Sequence, residues 1–198
     1  MPAVCVYCAS SELIDERYKE LAAQVGTAIA EAGYDLVSGG GSISCMGAVA
    51  RSARAAGAFT TGVIPEALLE LEVHDADADE LIVVSDMRVR KALMDEKADA
   101  FLTLPGGIGT LEELVEVWTA RSLRMHDKPV VILDPWHDYA ALHDLVAHLE
   151  RTGFMREIAV QQVVWTYSVE DAIAAITAGI GVRSTMSPTP AEMLEAEG

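Results

Sequence analysis

Apolar positions along this chain alternate between two rhythms. Short, nearly continuous apolar runs occur at 3–10 (AVCVYCAS), 34–40 (YDLVSGG), 60–65 (TTGVIP), 80–85 (ELIVVS), 99–107 (DAFLTLPGG), 128–135 (KPVVILDP) and 161–168 (QQVVWTYS). Each reads as a strand. Helix-length segments separate them. In 15–33, Tyr18, Leu21, Ala22, Val25 and Ile29 recur every three or four residues and Gly33 supplies the stop. Further helices are predicted over 44–57, 86–98, 111–125, around 138–151 and over 169–179. Strands apolar on both faces, alternating with helices, predict a mostly parallel sheet covered on both sides. The expected fold is therefore α/β: a single doubly wound, Rossmann-like domain over residues 1–181. From residue 182 the chain reads VRSTMSPTPAEMLEAEG, without apolar period, and a disordered tail is expected there.

Composition narrows the class. With 198 residues, 51% of them hydrophobic, one substantial core can be buried. No apolar run reaches the roughly 18 residues of a membrane span, and the N-terminus lacks the charged flank and long apolar region of a signal peptide. A soluble, cytoplasmic protein with no membrane partner is expected. The net charge of −17 argues against a nucleic-acid polymer as partner. A small anion remains open, because local dipoles and one or two arginines act at short range.

Three cysteines fit a reducing compartment. Cys5 and Cys8 spell C-x-x-C, but inside a strand-like run rather than at a helix start, so buried structural thiols are favoured over a redox pair. No second cysteine pair supports zinc. The histidines of MHD, WHD and LHD, at 126, 137 and 143, are expected at the surface or in caps, and no metal or other cofactor is predicted. The acidic stretch 70–80 lacks the glycine and terminal glutamate of a calcium loop.

Two glycine clusters carry more information. SGGGSISCMG (38–47) and PGGIGT (105–110) each follow a predicted strand and precede a predicted helix, which places both on the carboxyl edge of the sheet. Neither matches a dinucleotide fingerprint or has the lysine of a Walker loop. Either turn can cradle a phosphate on helix N–H groups, or simply reverse the chain. Thr110 and Glu113 also have two readings. T-x-x-E entering an apolar helix is a capping box, while a carboxylate at this edge can be chemical. Arg88, Arg90 and Lys91 in DMRVRK are either a solvated face or an anion clamp.

Taken together, SGGGSISCMGAVA, GVIPEAL, SDMRVRKALM and PGGIGTLEEL resemble the LONELY GUY (LOG) family of cytokinin riboside 5′-monophosphate phosphoribohydrolases, often misnamed possible lysine decarboxylases. The resemblance runs in order from about residue 3 to 179. It implies a homodimer with shared active sites that hydrolyses the N-glycosidic bond of an N6-modified AMP to free base and ribose 5-phosphate, with no cofactor. By motif, Arg90 and Glu113 match the catalytic pair, whereas the T-x-x-E spacing taken alone favours a cap at Glu113. Gly107, Gly109 and Thr110 match the phosphate loop, with Lys91 beside the arginine. Gly40, Gly41, Met46, Gly106, Ile108, Leu111 and Glu112 are expected around substrate or phosphate, and Glu72 and Thr119 fall where the family contacts substrate.

Cleaving an N-riboside passes through an oxocarbenium-like sugar, so a carboxylate near C1′ can stabilise the cation or activate water. Two rivals stand beside this reading: a broader purine 5′-nucleotide glycosidase acting on AMP, and a non-catalytic nucleotide-binding module on the same fold. A decarboxylase is disfavoured, since no lysine sits in a recognisable pyridoxal phosphate setting.

Overall fold

All seven apolar runs form strands in the computed structural model, which describes residues 1–69 and 74–181. They are β1 (Ala3–Tyr7), β2 (Asp35–Ser38), β3 (Thr60–Pro65), β4 (Glu80–Val84), β5 (Ala100–Thr103), β6 (Val130–Leu133) and β7 (Val163–Thr166). Every pairing is parallel, in the order β4-β3-β2-β1-β5-β6-β7. The chain winds outward from β1 to one edge, returns to lay β5 beside β1, and winds outward to the other edge. The β1/β5 boundary is thus the topological switch point, where connections diverge and leave a crevice beyond the strand ends.

The helices are α1 (Glu16–Glu31), α2 (Ser44–Ala55), α3 (Glu66–Leu69), α4 (Met87–Lys97), α5 (Ile108–Ser122), α6 (Ala140–Arg151), α7 (Glu157–Val160) and α8 (Val169–Ile180). Side chains alternate along each strand, so the sheet divides the core in two. Val4, Val6, Leu36, Leu102, Val131 and Leu133 pack with α1, α2 and α8. Cys5, Tyr7, Val37, Phe101, Val130 and Ile132 pack with Met94 of α4, Leu114, Val117 and Trp118 of α5, and Val146 of α6. The four-residue α3 and α7 have no counterpart in the sequence reading, because one turn is too short to display an apolar period.

Two local expectations resolve here. Cys5 and Cys8 are buried free thiols that burial pushes up in pKa, as the structural reading requires. The capping box at Thr110 and Glu113 does not form: α5 begins three residues earlier than that reading requires, at Ile108, with Gly107 in the cap position and no side-chain cap. Thr110 therefore lies in the first helical turn, and Glu113 is released from capping. The tail from 182 onward, and Glu72, lie outside the described residues.

Candidate active site

A cavity of about 690 Å³ opens at the switch point. Its walls come from residues 8–11 after β1, residues 105–110 after β5, Met46 of α2, Met87 and Arg90 of α4, Glu112 and Glu113 of α5, and Asp138 and Tyr139 after β6.

The two glycine turns differ at their helix ends. At α2, the Glu12 carboxylate accepts the Ser44 N–H at 2.6 Å, while Ser44 Oγ donates to Ser11 O at 2.5 Å. That terminus is filled from within the chain. At α5, the first intrahelical bond runs from Leu111 N–H to Gly107 O at 3.1 Å, and no side chain caps the N–H groups before it. Those groups point out of the helix with its positive dipole end, a ready place for an anion. A Cβ at Gly107 or Gly109 would meet no protein atom within 4 Å. Packing therefore does not demand glycine at either position, and the cleared space lies where a ligand would sit. Tyr139 steadies the turn from behind: its hydroxyl donates to Leu104 O at 3.0 Å and approaches Gly106 O at 3.5 Å. The tyrosine is itself set by Asp134, whose carboxylate accepts the N–H groups of Asp138 and Tyr139 at 2.8 and 2.9 Å.

The cationic run on α4 separates by helical position. Asp86 caps the helix by accepting from Arg88 and Val89 N–H groups at 2.9 and 3.0 Å. Arg88 is exposed, whereas Arg90, on the inward side, is only 7% exposed. The Arg90 guanidinium donates through Nε to Val63 O at 3.1 Å and through Nη2 to Gly39 O at 3.2 Å. Residue 39 must be glycine for this contact, since a Cβ there would lie 1.9 Å from Nη2. The remaining nitrogen, Nη1, stands 4.0 Å from Glu113 Oε1.

Glu113 is buried to 13% side-chain exposure. Burial pushes its carboxyl up to about 7, with Glu112 and Glu116 adding and Arg90 and Lys91 opposing. A carboxyl near neutrality changes protonation state easily, as a general base or a cation-stabilising group requires. Lys91 does not reach the cavity. It pairs with Glu112 and, at 2.6 Å, with Glu116.

Of the residues singled out from the sequence, the cavity brings together Met46, Arg90, Gly106, Gly107, Ile108, Gly109, Thr110, Glu112 and Glu113. Gly40 and Gly41 lie behind it, Gly40 O accepting the Asp75 N–H at 2.9 Å and Gly41 bridging His74. Lys91, Leu111 and Thr119 line a neighbouring groove of about 1030 Å³ between α4 and α5. Ile108 and Glu112 border both spaces. Sequence reasoning missed Gly39 and Tyr139. The DPWHDY stretch after β6 did carry a signal, since it too ends a strand on the ligand-binding edge.

A family model described as possible lysine decarboxylase matches residues 46–176. A cytokinin riboside 5′-monophosphate phosphoribohydrolase of Mycobacterium marinum is 47% identical over 176 residues, spanning 89% of this chain and 94% of the relative. Its namesake from Mycobacterium tuberculosis is 49% identical over 172 residues, spanning 87% and 91%. The cytokinin riboside 5′-monophosphate phosphoribohydrolase LOG1 of Arabidopsis thaliana is 38% identical across 86% of this chain and 80% of its own. Among solved structures, the molybdenum cofactor binding protein of Rippkaea orientalis superposes with a TM-score of 0.69 at 24% identity, covering 89% of this chain and 96% of that one. At that identity the likeness shows the fold alone.

Proposed function

The chain belongs to the LOG family, and from that membership and the cavity's geometry we infer that it hydrolyses cytokinin riboside 5′-monophosphates to free base and ribose 5-phosphate. One observation carries the reading at the level of residues. A largely buried carboxyl close to neutrality, Glu113, stands beside a buried arginine in the same cavity as an uncapped helix terminus.

In this reading the 5′-phosphate sits on the N–H groups of Ile108, Gly109 and Thr110, and its binding energy holds the ribose against Glu113. The bond between C1′ and the base nitrogen breaks with its electrons leaving on the base. The Glu113 carboxylate stabilises the oxocarbenium-like sugar and takes a proton from the water whose oxygen bonds to C1′, and that proton passes on to the departing base, which leaves neutral and restores the carboxylate. Arg90, anchored by the Val63 and Gly39 carbonyls, keeps Glu113 partly ionised and oriented. The decarboxylase description finds no support in the site: among the described residues lining the cavity there is no lysine to form a Schiff base.

The reading includes a homodimer whose second copy covers the groove between α4 and α5. Its support is the exposure of Ile108 (85%), Met125 (68%) and Val115 (48%) around that groove, and its continuity with the cavity through Ile108 and Glu112. It also includes a cytoplasmic location, supported by the three free, buried thiols.

The test is direct. Purified protein is incubated with isopentenyladenosine 5′-monophosphate and, separately, with AMP, and base and ribose 5-phosphate are quantified by chromatography. Rapid release from the isopentenyl nucleotide is expected, with slower release from AMP. Equal rates would make the protein a broader purine nucleotide glycosidase, and no release from either would remove the enzymatic reading.

A further inference from the structure

A largely buried ion pair lies behind the cavity rather than in it. Arg54, in the last turn of α2, grips Asp75 with two bonds, Nη1 to Oδ2 at 2.9 Å and Nη2 to Oδ1 at 3.2 Å. Nη1 also donates to Thr60 Oγ1 at 3.1 Å. Asp75 is 6% exposed. Burying such a pair is a poor route to stability, because the desolvation of both ions offsets most of their attraction, but it fixes geometry firmly.

What it fixes is the first glycine turn. With Asp75 held by Arg54, the Asp75 N–H donates to Gly40 O at 2.9 Å and His74 bridges Gly41. The other end of the segment is tied to β3, where the Asp79 carboxylate accepts from Thr60 N–H at 2.8 Å and Thr60 Oγ1 at 2.9 Å. The turn is also pressed on β3: a Cβ at Gly62 would lie 2.9 Å from Gly40 Cα. The residue before Gly40 is Gly39, whose carbonyl receives Arg90 Nη2 at 3.2 Å. A continuous path of directional contacts thus runs from Arg54 and Asp75, through Gly40 and Gly39, to Arg90 and the face it turns to Glu113.

We propose that Arg54 and Asp75 are positioning residues of the active site, their pair holding the 39–41 turn so that its carbonyl aims Arg90 at Glu113. The kinetic part of this inference rests on the glycosidase reading; the geometric part does not. Neither residue touches the cavity, and the α5 terminus assigned to the phosphate is independent of both.

The reporter is the Glu113 carboxyl. Facing it are Arg90 and Lys91 of α4, Glu112 and Glu116 of α5, Cys5 and Tyr7 of β1, and Cys8 just beyond that strand. A substitution at 54 or 75 alters none of these groups, and removing the Asp75 charge by itself would lower the Glu113 midpoint through the field, so a rise in that midpoint reports a retreat of Arg90.

The experiment uses the full chain with carboxyl-labelled glutamate, the Glu113 resonance being assigned by its absence from Glu113→Gln. In wild type a midpoint of about 7 is expected. In Asp75→Asn, where the charged grip is lost, the midpoint is expected to rise by about half a pH unit as Arg90 slackens away. Base release falls about tenfold in kcat while KM for the nucleotide stays within about twofold, since orientation is lost but phosphate binding is not. Arg54→Lys, which keeps the charge but makes a single bond, is measured in parallel and shifts in the same direction. An unmoved midpoint in both variants overturns the proposal, whatever happens to kcat or the melting temperature. Should wild type release no base, the glycosidase reading fails, and the Glu113 midpoint still decides the positioning role.

Discussion

In the function proposed here, Glu113 is the side chain on which chemistry and stability pull in opposite directions. Burial raises its carboxyl from 4.5 to about 7, so between those values the folded protein holds a proton that the unfolded chain has released. Stability therefore falls as pH rises through that window, and the full penalty is present above it, on the order of 3 kcal/mol at most. Glu113→Gln removes the ionisable group. Its melting temperature should exceed that of wild type by several degrees at about pH 8, and the gap should close near pH 5. The same substitution should lower base release about a thousandfold, and wild-type kcat/KM should fall on the acid side with a midpoint of about 7. A glutamine variant retaining more than about a tenth of wild-type turnover would remove Glu113 from the chemistry.

In the function proposed here the N-terminus of α5 turns a run of glycines into a ligand site, since among the described residues no side chain caps it. Gly109 sits inside the helix with open space beyond its Cα, so alanine there should leave the fold intact and add up to about 1 kcal/mol of helix propensity. Its methyl group would intrude on the bound phosphate, and KM for the nucleotide should rise about tenfold with kcat nearly unchanged. Gly39→Ala should behave oppositely, since its Cβ strikes Arg90 Nη2: kcat should fall while KM holds. Thermal melts and initial rates on the two variants check both statements. A Gly109→Ala protein with wild-type KM would place the phosphate elsewhere. The difference between the two turns also explains why only one of them is left open, since Glu12 already occupies the Ser44 N–H of α2.

Across the whole molecule, the sheet order brings the two sides of the site together. Arg90 arrives on α4, before the chain crosses back, and Glu113 on α5, after it, so the catalytic pair in our reading spans the switch point. The same two helices border the exposed apolar groove. Val115→Asp, at a half-exposed position in that groove, should convert a dimer to a monomer by light scattering and lower turnover with it. A wild-type chain that is monomeric and fully active would overturn the shared-site reading. The charge of −17 makes the folded surface repel anions, which leaves the α5 dipole and Arg90 to act locally inside a sheltered cavity.

Strand and helix identity was legible because it follows from period, a local property of how side chains partition between water and core. The seven apolar runs and the helix from Met87 needed no neighbour to be read. The glycine turns and the MRVRK run were likewise visible, and the family motif pointed to Arg90 and Glu113. Period could not show that Thr110 and Glu113 are not a cap, because T-x-x-E has the spacing of a capping box wherever the helix actually starts. Nor could it show that Gly39 clears room for a guanidinium 51 residues away, or that Tyr139 reaches back 35 residues to Leu104 O. Those contacts depend on which strand ends lie side by side, and strand order is settled by the packing of the whole sheet. A buried hydrogen bond or a raised carboxyl pKa likewise exists only once distant segments have excluded water around it.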